Sequence, residues 1–401
     1  MDTQNIAKNT TRELFLESFM AEAFREGCPF AVWKKPGQPL VEMIMDKDPQ
    51  AYSRPNLDLD ELPGGFMIHP FQNSEIHDQV YVKASRYERF MLGEASPAAE
   101  EEWNSNESIL EGSATIVRNK IASLPEAPNS TPSNKENFLA TVAKAIDRIQ
   151  SGGFYKVVPA RLKKRQLPPD FDLARVFLEL CEAYPSAFVN CFYSETSGCW
   201  IGASPETLIR TKGDLFYTMA LAGTQKAQGD NPLKNAAWTQ KEIEEQALVS
   251  RYIVNCFKKI RLREYQELGP KTSVAGGLLH LKSEFLVDMK ATNFPQLGSV
   301  MLELLHPTSA VCGMPKEDAL AFLKAEEGFD RSYFSGFIGP VNLNGETSLF
   351  VNLRCAKLEN NQALLYAGAG ITEDSVPEKE WEETELKCDI IGKFIQTTKP
   401  H

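Results

Sequence analysis

Apolar residues recur at helical spacing in "TRELFLESFMAEAFREG" (11–27), "KENFLATVAKAIDRIQ" (135–150), "ARVFLELCEAYP" (174–185) and the long run 235–260. The same spacing returns in two segments within 294–327, split by a Pro/Gly-containing loop, and in "KEWEETELKCDII" (379–391). Strand-like runs lie between them: "FAVWKK", "DQVYVKA", "YKVVPARL", "AFVNCFYS", "CWIGASPETLIRTKG", "LFYTMALAGT", "SYFSGFIGPVNL", "SLFVNLRCAKLEN" and "QALLYAGAGI". Hairpin-linked strands with helices between groups of them predict an α+β fold, a large antiparallel sheet assembly surrounded by helices.

From about 94 to 136 the pattern fades into Glu, Ser, Asn, Ala and Pro, as in "EASPAAEEEWNSNES". Such low hydrophobicity predicts an exposed excursion carrying at most a short helix. The chain of 401 residues is expected to form one domain, with a variable part over 1–136 and a denser part over 137–396. Acids outnumber bases 54 to 43, for a net charge of −11. No basic stripe is available to displace counterions, so nucleic-acid and anionic-membrane binding are excluded as general functions. The 8 cysteines are scattered with no CxxC pair, which argues against a zinc site or a disulfide framework. The polar start "MDTQNIAKNTTRELF" and the lack of a long apolar run lead to the expectation of a soluble, cytoplasmic protein.

Several polar residues stand where the apolar pattern makes them conspicuous. In the last helix Glu380, Glu383 and Lys387 share one ridge, Glu383 lying about 60° from Glu380 with Lys387 between. A solvated Glu–Lys pair explains that spacing. A ligand site explains the small-residue loop "AGAG" just before it, where backbone can approach a ligand closely. On a helical wheel Glu245 joins the stripe of Leu248, Val249, Tyr252 and Cys256. A carboxylate on such a stripe is costly unless paired, protonated or metal-bound, and a wheel misplaced by one residue would put it at the stripe's edge. If two such carboxylates met, Mg²⁺ would suit them. Strand alternation puts Lys156, Val158 and Ala160 on one face. Lys156 is either a solvated edge lysine or a dry amine able to act as a base. Ser204 and Pro205 form a turn that leaves Glu206 on the surface or aims it inward, where burial would make it an acid. Arg354 in an apolar strand requires a carboxylate partner, internal or bound. His280 and His306 fit either pocket or core.

The segments "KVVPAR", "GASPE", "LAGT", "KEIEEQALV", "HPTSAVCG", "FDRSYFSGFIG", "LRCAK", "AGAGI" and "EWEETELK", in that order, resemble the chorismate-binding enzymes over about residues 150–391. Within them the chain resembles the isochorismate synthases. The resemblance implies one domain with a deep cleft, Mg²⁺ as cofactor, and chorismate, a dianion, as substrate. It implies that Lys156 activates the water attacking C2 and that Glu206 protonates the departing C4 hydroxyl. Glu245 and Glu383 would hold Mg²⁺, with Glu380 as a further acid on the metal side. Gly223, Thr224 and Lys387 would surround the ring carboxylate. Arg354 and the backbone of Ala367 and Gly368 would take the pyruvyl carboxylate, with His280 in the pocket. Ala310, Val311, Phe334 and Leu353 would decide between isochorismate release and a salicylate-forming pyruvate elimination.

Lys156 stands where the aminating members of the family usually carry glutamine. The resemblance therefore implies water as nucleophile, no obligatory glutaminase partner, and a product feeding menaquinone or catechol siderophore synthesis; a monomer is expected because nothing requires a partner subunit. An inactive chorismate-binding module is the remaining alternative. Pro159 departs from the usual leucine of the family strand and is expected to disturb its geometry, since proline cannot donate to a ladder. Glu242 and Glu244 depart from the usual neighbours of Glu245 in the family's "KDxxEH" pattern, which leaves Glu245 with rivals as ligand.

Overall fold

The computed structural model describes residues 3–49, 58–74, 77–93, 112–126, 130–227, 231–275 and 278–395. Two antiparallel eight-stranded sheets form its middle. The first runs Arg86–Met91, Leu40–Met45, Phe30–Lys34, Phe188–Ser194, Gly198–Ser204, Cys355–Glu359, Gln362–Gly368, Ala160–Gln166. The second runs Gln266–Ala275, Leu278–Asp288, Leu215–Lys226, Thr207–Lys212, Glu346–Val351, Phe337–Val341, Gly65–His69, Val80–Lys83.

The sheets face each other across an aromatic core of Trp33, Phe66, Phe188, Phe192, Trp200, Phe350 and Tyr366. Phe188 of one sheet stacks on Phe350 of the other, centroids 3.9 Å apart at 6°. Such a pair adds about 1 kcal/mol to the burial of its surface. Strand alternation sends the other apolar set outward, where helices cover it. Thr3–Glu26, Ser113–Ser123 and Leu173–Ala183 cover the first sheet through Leu16, Phe19, Val117, Ile121, Val176 and Phe177. Lys135–Gln150, Gln240–Lys259, Leu297–Leu305 and Lys316–Glu326 cover the second through Phe138, Val142, Val249, Ile253, Met301 and Leu323. The α+β expectation therefore resolves into helices, sheet, sheet, helices.

One local expectation is corrected, and two expected breaks are placed. The excursion at 94–136 is not all exposed: Ser113–Ser123 docks Val117 and Ile121 into the first core, while 94–111 and 127–129 lie outside the described residues. The run through Pro159 is two strands. Lys156–Val157 pairs with Gly313–Met314, and Ala160–Gln166 joins the first sheet. The run through Pro205 likewise splits between the sheets, because a proline supplies no donor to continue either ladder. Gln266–Ala275 and Leu278–Asp288, which the sequence pattern did not mark, form a long hairpin. No helix among the described residues is long and apolar enough to cross a membrane.

Candidate active site

The chain crosses between the sheets twice side by side, at Ser204–Thr207 and at Val351–Cys355. The crossings are tied by Val351 N donating to Glu206 O at 3.0 Å and Ala203 N to Arg354 O at 3.0 Å. This seam sets Glu206 and Arg354 at one end of a cleft. Arg354 lies in the crossing and not within a strand, with φ +49.

Glu206 is buried, and burial pushes its carboxyl up to about 8 even though Lys156, Arg354 and Lys387 pull it down. Charge stabilisation by three cations fails to offset the loss of water, so the group holds its proton at neutral pH. Arg354 is buried as well, with Nη1 unpartnered among the described residues, and burial brings its guanidinium down to about 10. A buried guanidinium with an unspent donor is built to receive an anion. His280 sits 2.7 Å by Nδ1 from the Gly223 carbonyl, an acceptor only, so Nδ1 carries the proton and Nε2 is left as a buried acceptor with no partner among the described residues. Burial, with Arg354 adding, lowers its pKa to about 3, so the ring is neutral. A bulge between Ala222 and Gln225 turns Gly223 and Thr224 into the cleft. Gly223 takes φ +69, where a side chain would also press on Glu242 and Trp238.

At the other end carboxylates meet amines. Lys156 Nζ is fully buried, 2.9 Å from Glu245 Oε1. Lys241 Nζ lies 2.5 Å from Glu380 Oε1, and Lys387 Nζ lies 2.6 Å from Glu383 Oε1. Lys387 also donates to Gly368 O at 2.8 Å. Burial would raise Glu245, but Lys156 and Lys241 outweigh it and hold the carboxyl below its ordinary value. Burial pushes Glu380 up, Lys241 opposing and Glu383 adding. The apolar stripe of this helix is Val249, Ile253, Cys256 and Phe257, one step round from the wheel's expectation, so Glu245 stands at its edge and faces the cleft.

Hard oxygen donors fit Mg²⁺, and two further observations support the fit. Glu380 Oε2 is buried without a partner among the described residues, and a Cβ on Gly370 would collide with the Glu245 carboxylate and approach Lys156 Cε to 3.1 Å. The oxygens of Glu245, Glu380 and Glu383 do not form a group within 4.8 Å, since amines stand among them.

Of the expected site residues, Glu206, Gly223, Thr224, Glu245, His280, Ala310, Phe334, Arg354, Ala367, Gly368 and Lys387 line this one cleft. Val311 and Leu353 line it too. Lys156 and Glu383 stand behind its wall, paired with the lining residues Glu245 and Lys387, while Glu380 is paired with Lys241 outside the lining. His306 is a core histidine against His69 and Phe337. The sequence reading missed Arg331 and Tyr366, which line the cleft, Lys241, and Thr308, a buried hydroxyl beside Glu206. Thr308 was legible as a small polar residue after proline in an apolar run; the others carry no spacing signal.

The fold and cleft define a class of α+β proteins with a two-sheet core and a charged cleft at the seam. The model of the family described as chorismate binding enzyme matches residues 64–396, and the chain belongs to that family. The match begins well before the motif-bearing region. Within the family the chain is most like the isochorismate synthases. The vibriobactin-specific isochorismate synthase of Vibrio cholerae is 29% identical over 268 residues, covering 65% of this chain and 67% of that one. Isochorismate synthase EntC of Escherichia coli is 34% identical over 259 residues, covering 63% of this chain and 66% of its own. The structure of MenF, the menaquinone-specific isochorismate synthase of Escherichia coli, superposes with a TM-score of 0.71 at 22% identity, over 92% of this chain and 89% of that one.

Proposed function

We propose that the chain is an Mg²⁺-dependent isochorismate synthase. One observation carries the reading: a buried, protonated Glu206 shares a single cleft with an unspent Arg354 and with Glu245, whose ion-pair partner Lys156 stands behind the wall. Adding water at C2 of chorismate while hydroxide leaves C4 requires a base and an acid at separate positions. Released from its ion pair with Glu245 and in its neutral form, Lys156 takes the proton of the attacking water, and Glu206 gives its proton to the departing hydroxyl. One water enters and one leaves, the ring double bonds shift, and a proton passing from Lys156 to Glu206 restores both groups.

Arg354 and the backbone of Ala367 and Gly368 hold the pyruvyl carboxylate. Gly223, Thr224 and Lys387 surround the ring carboxylate, and His280 offers a neutral acceptor. Glu245 and Glu383 would hold Mg²⁺, with Glu380 supporting them, and the ion would supply charge that neutralises and orients the ring carboxylate. Lysine at 156 supports water as nucleophile, hence a chain that works without a glutaminase. Relatives specific for vibriobactin and for menaquinone support either route for the product.

Purified protein incubated with chorismate and Mg²⁺ is expected to yield isochorismate by chromatography; no isochorismate would overturn the reading. Pyruvate release in a coupled dehydrogenase assay would reassign it to salicylate formation, and the apolar wall of Ala310, Val311, Phe334 and Leu353 is where that difference would reside.

A further inference from the structure

We infer that Arg161 is a positioning residue that fixes the rotation of the Pro377–Gly392 helix, so that Lys387 faces the cleft and Glu380 and Glu383 are held on the same ridge beside it. The inference rests on the cation-binding role proposed above for those acids. Arg161 is 2% exposed and touches no cleft space. Its Nε donates to Thr384 Oγ1 at 2.6 Å, Nη2 donates to Glu385, and its guanidinium lies 3.9 Å from the Trp381 ring centroid.

All three contacts fall on one helix, two of them beside a functional neighbour: Trp381 follows Glu380, and Thr384 follows Glu383. The contacted face and the acid face are about 120° apart around the helix, so losing the first frees a rotation that would carry the second away. Arg161 pairs in register with Ala367, while Lys387 reaches Gly368 O on the same strand at 2.8 Å. The strand that forms one cleft wall thus grips the helix that supplies the acids. Lys163, two residues along, also reaches Glu385, by Oε2 at 2.5 Å, but touches neither Thr384 nor Trp381 and is 27% exposed. Only arginine both forks and stacks, so the grip is specific to it.

The test compares wild type, Arg161→Met, Arg161→Lys and Lys163→Met by calorimetric Mg²⁺ binding without substrate, thermal melting, and the Mg²⁺ concentration giving half-maximal isochorismate formation. Arg161→Met is expected to weaken Mg²⁺ binding about tenfold or more, as outer partners of metal ligands do, with turnover largely regained at saturating Mg²⁺. Arg161→Lys, the milder change that keeps the fold if methionine does not, is expected to weaken it in the same direction, and Lys163→Met to bind as wild type. A lower Tm with unchanged Mg²⁺ binding in both Arg161 variants would overturn the inference. Mg²⁺ binding equally weakened in Lys163→Met would overturn it too, since the outer charge would then suffice. A wild type that binds no Mg²⁺ would overturn the functional reading, and this inference with it.

Discussion

The two ends of the cleft meet one problem, a carboxyl group out of water, with opposite solutions. At the seam between the sheets Glu206 keeps its proton, pushed up to about 8 by burial that nearby cations fail to offset. At the helix end Glu245 stays ionised below its ordinary value because Lys156 and Lys241 outweigh the same burial. Distance decides between them: Glu245 has an amine at 2.9 Å, whereas the cations around Glu206 act without an ion pair. Coulomb energy falls with separation while desolvation does not, so a group with remote cations ends up neutral. One end is left with a proton to give, and the other with charge that a metal can use.

Removing the amine should break the comparison hardest. Lys156→Ala is expected to lower isochorismate formation by up to about 10⁴-fold, the upper range for a lost proton acceptor. Mg²⁺ binding without substrate should persist, since Glu245 is then unclaimed. Turnover near wild type would remove Lys156 from the mechanism. Glu206→Gln comes next, with a loss of about 10²–10³-fold. Wild-type rate should fall as pH rises past about 8, where Glu206 loses its proton, and the variant's residual rate should lack that step. A wild-type rate level through that range would separate Glu206 from the acid role.

How far the sequence alone carried this picture depended on the kind of contact. The two-period strands and the helices were legible because one face of each is apolar, and Pro159 and Pro205 announced breaks that occur at both places. Candidate chemistry at Glu206 and Lys156 was legible as polar residues in apolar text. Partner choice was not. Nothing local pairs Lys156 with Glu245, or Lys241 with Glu380, across 139 positions. The crossing at Arg354 looked like continuous strand because its neighbours Val351 and Cys355 are apolar on both sides of the seam. Arg161 carries no spacing signal, because its partner Thr384 lies on a helix 223 residues away.

A smaller effect sharpens the helix end. Glu383→Gln is expected to raise the Mg²⁺ concentration needed for half-maximal activity about tenfold, in line with losses seen around metal ligands. It also frees Lys387 from its 2.6 Å ion pair, so chorismate binding at saturating Mg²⁺ should change little. Unchanged Mg²⁺ dependence would take Glu383 out of the ligand set.

The smallest effect asks whether a raised carboxyl pKa is by itself a sign of catalysis. Glu17 is pushed up to about 8 by burial and by its contact with Asp172, far from the cleft. Its oxygen, with those of Glu13 and Asp172, lies in a group within 4.8 Å, and Asp172 caps the Leu173–Ala183 helix. The folded chain holds this proton from the ordinary value of 4.5 up to about 8, where the unfolded chain has released it. The folded state then binds more protons than the unfolded, so stability falls as pH rises through that window. Glu17→Gln removes the titration, and its gain in Tm should be about 2 °C at pH values above the window and vanish toward its lower edge, after discounting for solvent screening. Isochorismate formation should not change. A drop in turnover, or a gain independent of pH, would mean that the N-terminal acids do more than share a proton, and that position in the cleft is not what sets Glu206 apart.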